Sequence, residues 1–355
     1  MSEARIDGRP VALDVAVAEA AKLLAASRLP VFTGLGTDVA GARAAIALAE
    51  RLGGVIDHAH AEALLRDLAV MREAGAYATT PSEARVRGDT ILLVGPGLIE
   101  AWPDLGERLL AAPLAPEIGG ERRAFRLCPG KSAAPAGAKV FGRGAELPGQ
   151  LALLRACIGG RLARAPKAIA ELAEALQAAR FGVAVWSAAT LDELTIEMLL
   201  GVIGELNATT RFTGLPLAPA DNAIGVTQAS GWMTGFPPRT GFGRGYPEHD
   251  PWRFDATRLI EVGEADCAVW ISAYGPAQPG WRTQLPTITL GAGEQTQSGI
   301  AIQVGRPAVD HDSTEHDART GTLVARAASN RSDIPSVAAV IARIAAALPA
   351  GASPC

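Results

Sequence analysis

The sequence predicts an α/β protein with two doubly wound, mainly parallel sheets, and three observations carry that expectation. Short β-branched, apolar runs alternate with segments of helical period. Several of those runs stop at glycine or proline turns, and the β-then-α cycle occurs twice. In the first cycle, residues 11–28 keep apolar side chains at helical spacing, and Pro30-Val31-Phe32-Thr33 reads as a strand running into Gly34-Leu35-Gly36. Asp38 is placed to cap a helix over residues 40–52, which the Gly53-Gly54 pair ends. Val55-Ile56 follows as a strand, Ala61–Ala74 as a helix and Thr90–Val94 as a strand cut off by Gly95-Pro96-Gly97. Residues 125–128 and Lys139–Phe141 read as further short strands, and Leu147–Ile158 as a helix stopped by Gly159-Gly160. Such a pattern is that of a Rossmann-like sheet.

The second cycle starts beyond residues 161–166, an Arg/Ala/Pro stretch with the composition of a linker or helix cap. Helices are expected over residues 167–180 and 191–206, with Gly182–Trp186 and Cys267–Ser272 as strands. Residues 213–255 are rich in Gly, Pro and aromatics and read as one long irregular loop, a kind of segment that is commonly functional. Strands over 287–290 and 300–304, a polar stretch over 310–319 and a closing amphipathic helix over 336–348 complete the chain. No short internal repeat is present. Division into residues 1–163, 164–300 and 301–355 is expected, the last packing back on the core.

Composition narrows the function. The 355 residues carry 33 Lys and Arg against 37 Asp and Glu, a net charge of −4 that gives no field for nucleic acid or an anionic membrane. No stretch reaches the roughly 18 uninterrupted apolar residues of a membrane span, and residues 1–10 carry charges and no apolar h-region, so no secretory signal is expected. A cytoplasmic location is the expectation. Cys128, Cys157, Cys267 and Cys355 lie 29, 110 and 88 positions apart, so no sequence-local zinc or iron–sulfur site is formed, and the four read as buried thiols.

Several motifs bear on chemistry. Val31 to Ala40, with Gly34 and Gly36 in the turn and Asp57 ending the next strand 21 positions later, approximates a dinucleotide fingerprint. Val39 stands where the third glycine belongs, so a tight βα turn without ligand explains the pattern better than a nicotinamide site does. Gly130-Lys131-Ser132 resembles a phosphate loop, but Phe125 replaces its first glycine. His58 and His60 share a parity that points both toward the carboxyl edge of the sheet, as ligands or acid–base groups. Asp310-His311-Asp312-Ser313-Thr314-Glu315-His316-Asp317 gathers metal-ligating side chains without the spacing that would fix them on one face. Trp232, Phe236, Arg239, Phe242, Arg244 and Tyr246 sit in the Gly-rich segment, a composition suited to a protein interface or an anion. No complete catalytic constellation appears.

Four stretches, in order along the chain, carry a resemblance. They are residues 42–57, ending Gly53-Gly54-Val55-Ile56-Asp57; Gly243-Arg244-Gly245-Tyr246-Pro247; residues 259–268; and Val304-Gly305-Arg306-Pro307-Ala308-Val309-Asp310. Together they resemble the B-subunit family of formylmethanofuran dehydrogenase, a branch of the molybdopterin oxidoreductases. The resemblance implies that fold, here without its iron–sulfur domain. Catalytic members carry an N-terminal cysteine cluster for a [4Fe–4S] centre and a Cys or selenocysteine ligand soon after the Gly-Gly-x-Ile-Asp stretch. This sequence has no cysteine before Cys128 and reads Asp57-His58-Ala59-His60 at the ligand position.

The departures match the cofactor-free B subunits of bacterial formyltransferase/hydrolase complexes, which serve tetrahydromethanopterin-linked formaldehyde oxidation in methylotrophs. In those complexes, the resemblance implies, the D subunit transfers formyl to a methanofuran-like carrier and the metal-dependent A subunit hydrolyses it to formate, with the C subunit as a scaffold. A non-catalytic structural subunit without cofactor or metal is therefore expected, docking through residues 213–255. Gly34, Gly36, Asp57, His58 and His60 would line a vestigial cleft, while Arg239, Arg244, Arg253 and Arg258 are candidates to meet the carrier's acidic tail. The alternatives are an oxidoreductase retaining a molybdopterin or dinucleotide near Gly34, Gly36 and Asp57, and a divalent-metal hydrolase using His58, His60 or His311.

Overall fold

The computed structural model describes residues 4–128, 137–142, 146–276, 278–293 and 299–349, and the chain divides into two compact α/β units. The first comprises residues 1–61, 220–316 and 323–355; the second comprises 62–219 and 317–322. Neither the boundary expected at 163/164 nor that at 300/301 is where the units part. The reason lies in strand pairing: every strand from Thr90–Val94 to Phe212–Pro216 pairs only within the second sheet, so residues 161–166 connect two of its helices and Arg161 is tied there to Glu205.

In the first unit five parallel strands run in the spatial order Val55–Ile56, Pro30–Gly36, Cys267–Ser272, Thr287–Gly291, Ile300–Gln303. Numbered within the unit this is 2-1-3-4-5, the flavodoxin-like order, with its switch point between Pro30–Gly36 and Cys267–Ser272. Antiparallel strands close both edges, including the hairpin Ala4–Ile6/Arg9–Val11, which helical and turn patterning did not predict. Alternation divides the core cleanly. Phe32, Ile56, Val269, Ile271 and Leu290 face helices Leu13–Ala26, Val39–Arg51, Ala223–Thr234 and Val337–Ala347, whereas Val31, Val55 and Ala268 pack under Leu259 and Ile260 of helix Ala256–Glu261.

The second unit has five parallel strands in the order Lys139–Phe141, Arg123–Leu127, Thr90–Val94, Gly182–Trp186, Phe212–Pro216. Within the unit the order is 3-2-1-4-5, with the switch between Thr90–Val94 and Gly182–Trp186. Leu92, Val94, Phe125, Leu127, Ala184 and Trp186 face helices Leu147–Ile158, Lys167–Gln177 and Glu193–Leu206; Ile91, Leu93, Val183 and Val185 face the other layer. Gly182 and Gly214 sit where rings press on the sheet, since a Cβ would fall 2.0 Å from Phe212 and 2.8 Å from Trp186.

Residues 213–255 are not one irregular loop. They contain most of strand Phe212–Pro216, the 12-residue helix Ala223–Thr234 and the short strands Thr240–Gly241 and Glu248–His249. The helix escaped notice because it packs mainly on Ala223, Gly225, Ala229 and Ser230, with Val226 the single larger apolar side chain among its buried residues, and so gives no apolar stripe. The polar stretch 310–319 likewise holds strand Ser313–Asp317, paired with Thr322–Arg326. Among the described residues no helix is long and apolar enough to cross a membrane. Cys128 and Cys267 are buried and Cys157 is half-buried, while Gly130-Lys131-Ser132 and Cys355 lie outside the described residues.

Candidate functional site

Ligands of open α/β sheets bind outside the carboxyl ends of the strands at the switch point, which in the first unit is the crevice beyond Gly36 and Ser272. The two glycines before it have architectural roles. Gly34 has φ +76° and a Cβ there would lie 2.6 Å from the Ile271 carbonyl, where the pairing of the two strands slips register. Gly36 is overlain by Asp221, whose Cβ is 3.4 Å from the position a Gly36 Cβ would take.

Asp221 and Asn222 both adopt φ +57°, a left-handed conformation that Asp and Asn tolerate through their short polar side chains. Asn222 stitches the crevice from within: its Nδ2 donates to the Thr37 carbonyl (2.9 Å) and its Oδ1 accepts from the His316 amide (2.9 Å). Beneath it Asp38 caps helix Val39–Arg51 by accepting from the Gly41 amide at 2.9 Å.

His58 is buried with both ring nitrogens engaged. Nδ1 accepts from the His60 amide at 3.0 Å, which places the proton on Nε2, 3.2 Å from the Asp221 carbonyl. Burial, with the neighbouring His60, lowers its pKa to about 4, so the ring is neutral and its single tautomer is fixed. His60 Nε2 lies 3.4 Å from Asp221 Oδ2, and this contact holds the Asp221 carboxyl below the usual carboxylate range. Tyr274 follows strand Cys267–Ser272 and completes the cluster; burial, with Glu315, Asp38 and Asp221 close by, raises its hydroxyl far above the ordinary tyrosine value.

Sequence reasoning therefore brought Gly34, Gly36, His58 and His60 to one crevice but not their partners Asp221, Asn222, Tyr274 and Glu315. The Asp221-Asn222 pair, two left-handed formers in succession, was the available signal. Asp57 does not face the crevice as a ribose-holding acid would. Its Oδ1 accepts from the His58 amide (2.8 Å) and its Oδ2 from the Ala256 amide (3.0 Å), with Arg239 Nε 3.7 Å away. The cluster 310–317 does not converge either: Asp310 accepts from the Arg306 amide, Asp312 pairs with Arg331, and Glu315 accepts from Ser313. Among the described residues no group of three or more His, Cys, Asp or Glu side chains is placed to hold a metal ion.

The interface candidates separate by exposure. Trp232 (64% exposed) and Tyr246 (53%) stand out from the surface with Phe236 and with Trp252 (71%), which sequence reading passed over. Phe242 is instead part of the core. Arg239 is also internal, because Nη2 pairs with Asp255 at 2.7 Å and Nη1 donates to the Pro251 carbonyl. Arg258 lies over the Trp252 ring and pairs with Glu264, so only Arg244 and Arg253 of the four arginines are offered outward, each beside Glu248.

No protein-family profile matches the chain. It is 37% identical over 351 residues, 96% of each sequence, to the B subunit of the formyltransferase/hydrolase complex Fhc of Methylorubrum extorquens. It is 26% identical over 284 residues to the B subunit of tungsten-containing formylmethanofuran dehydrogenase 2 of Methanocaldococcus jannaschii and 23% identical over 287 residues to that of Methanococcus maripaludis, spanning 65% of each archaeal chain. Its fold superimposes with a TM-score of 0.87 and 36% identity on a chain in the crystal structure of the formyltransferase/hydrolase complex (FhcABCD) from M. extorquens in complex with methylofuran, covering 96% of this chain and 97% of that one.

The residues present here do not fit a tungsten or molybdenum pterin. Such a metal takes a soft thiolate, whereas the residue after Asp57 is a neutral histidine with both nitrogens spent. The first unit's described cysteine, Cys267, opens its strand at the end away from the crevice, and burial pushes its thiol up to about 12. Identity of 37% along nearly the whole length places this chain in the family of B subunits of formyltransferase/hydrolase complexes.

Proposed function

We propose that the chain is a non-catalytic, structural B subunit that assembles in the cytoplasm with a metal-dependent hydrolase (A), a scaffold (C) and a formyltransferase (D). The complex so formed would carry formyl from tetrahydromethanopterin through a methanofuran-like carrier to formate. One observation supports the structural role above others: at the switch point of the first unit both ring nitrogens of the buried His58, and both ends of the Asn222 amide, are taken up by the chain. His58 can neither take up a proton near neutral pH nor coordinate a metal without giving up a hydrogen bond that holds residues 58–60 or 221 in place. The crevice reads as a relic of the molybdopterin oxidoreductase fold, closed by Asp221 and Asn222.

Docking is assigned to the exposed aromatics Trp232, Phe236, Tyr246 and Trp252, with another member of the complex as occupant. Exposed large aromatics are the usual anchors of protein interfaces, and this part of the chain concentrates them. Arg244 and Arg253 remain as contacts for a carrier with an acidic tail. Affinity purification of the tagged chain from its native host tests the reading: three partner subunits should co-purify, and the isolated chain should have no formyl transfer or hydrolysis activity. Trp232→Ala and Trp252→Ala should each weaken recovery of a partner by roughly tenfold. Formyl chemistry from the chain alone would overturn the proposal.

A further inference from the structure

The second unit holds a small notch of about 170 Å³ in which hydrogen-bond donors outnumber acceptors. Arg85 of helix Pro81–Arg87, Trp102, Arg108 and Arg319 supply its donors, and Ser82 and Thr320 close one side. Asp104 is the carboxylate these guanidiniums share. Both Arg108 Nε and Arg319 Nη2 reach the same oxygen, Oδ2, the latter at 3.2 Å, so one negative charge stands against two positive ones before Arg85 is counted. Arg85 is exposed, and its guanidinium forms no ion pair or hydrogen bond among the described residues. Trp102 is only 7% exposed, and its indole Nε1–H turns toward Asp104, the carboxylate the guanidiniums already share, without completing a well-formed hydrogen bond.

The notch is held in shape rather than being a chance gap between mobile side chains. Thr320 O accepts from the Ser82 hydroxyl at 3.4 Å, and Gly321, at φ +73°, packs so tightly on Pro81 that a Cβ there would lie 2.8 Å from the ring. A buried N–H that is poorly met by its acceptor is costly, and three guanidiniums around one carboxylate leave net positive charge. What the site lacks is a second acceptor carrying negative charge.

We propose that this notch binds a small oxyanion, a phosphoryl or carboxylate group of a small molecule, through Arg85, Arg319 and the Trp102 Nε1–H. Arginine forks match such groups geometrically. The volume admits the anionic group but falls short of the roughly 300 Å³ from which drug-sized ligand pockets begin, which excludes a whole nucleotide.

Calorimetric titration of the full-length chain with sodium phosphate and, separately, sodium succinate, at ionic strength held constant with sodium chloride, tests this. Saturation by phosphate assigns a phosphoryl group, and saturation by succinate alone assigns a carboxylate. Arg85→Gln, which disrupts no internal contact, should weaken binding roughly tenfold or more. Trp102→Phe, which keeps the ring packing and removes the N–H, should weaken it severalfold. Arg343→Gln, at the Asp14 pair of the first unit, should leave it unchanged. No saturation by either anion below about 10 mM, or an Arg85→Gln variant that binds as the parent does, overturns the proposal.

Discussion

The two units offer the same opportunity and close it differently. Each parallel sheet has one topological switch point, the place where a doubly wound fold opens a crevice. In the second unit that place is plugged by the chain: Thr190 Oγ1 donates to the Pro96 carbonyl (2.9 Å), its methyl covers Gly97, and Leu191 covers Gly95. In the first unit the closure is polar and titratable, made of His58, His60, Asp221, Asn222 and Tyr274. Filling with methyl groups leaves nothing for protons to change, whereas filling with charged and hydrogen-bonded groups keeps the region dependent on pH and on each partner being present.

Glycines at the two closures should show the contrast first and most strongly. At Gly34 an added Cβ meets a main-chain carbonyl at 2.6 Å in a left-handed conformation, and the sheet itself would have to shift. Gly34→Ala should cost about 3 kcal/mol or more, read as a fall in the urea midpoint at pH 7. No single neighbouring substitution should restore it, because the obstacle is backbone. Stability within about 0.5 kcal/mol of the parent would mean that the register slip beside Ile271 is not fixed.

Titration should come next. Burial raises Asp57 to about 7, against the pull of the Ala256 amide and Arg239, and lowers His58 to about 4. The signs oppose. A carboxyl raised on folding loses stability as pH rises from about 3.8 to 7; a histidine lowered on folding loses stability as pH falls from about 6.5 toward 4. In the parent the two slopes offset each other across nearly the same window. Asp57→Asn should uncover the histidine, so that stability drops on acidification by roughly 3 kcal/mol. His58→Asn should uncover the carboxyl and reverse the slope. Two variants with parallel pH profiles would show that the pair is not what titrates.

How much of this was legible follows from which signals are local. The strands Val55–Ile56, Thr90–Val94, Gly182–Trp186 and Cys267–Ser272 announced themselves because buried parallel strands are apolar runs, and Asp38 announced a helix start because capping is a contact over three residues. Helix Ala223–Thr234 did not, since small residues pack without an apolar stripe. The unit boundaries were hidden for a different reason: the chain leaves the first sheet after residue 61 and re-enters it after 219, and pairing across so long an excursion leaves no local mark. At the site the glycines and His58 were visible, but Asp57 and Arg239 were given ligand roles when each serves the fold. Nothing near them in sequence shows that the Ala256 amide and Asp255 take up their polar atoms.

The second unit's plug should yield to a smaller change and, unlike Gly34, should be rescuable. A Cβ at Gly97 meets the Thr190 methyl at 2.6 Å, again at positive φ, so Gly97→Ala should cost about 2 kcal/mol. Thr190→Ser keeps the hydroxyl that bonds Pro96 and removes that methyl. In the double variant the steric part of the loss, roughly 1 kcal/mol, should return. Strict additivity would place the cost in the backbone conformation alone and make the two closures more alike than their contacts suggest.

The smallest expected effect lies beside that plug, at the titratable group the second unit does keep near its switch strand. Asp67 accepts from the Trp186 indole Nε1–H at 2.8 Å, and burial raises it to about 6 despite that bond and the nearby Arg66. Its folded form favours the proton, so stability is lost as pH rises from about 3.8 to 6 and the full cost stands above that window. Asp67→Asn retains an oxygen for the indole and discards the charge. Stability should therefore rise by about 1 kcal/mol at pH 8, by less at pH 5 and not at all at pH 3. A loss at pH 8 would show that the charge-assisted bond to Trp186 outweighs the burial of the carboxylate, and that the second unit, too, depends on a polar contact at its switch strand.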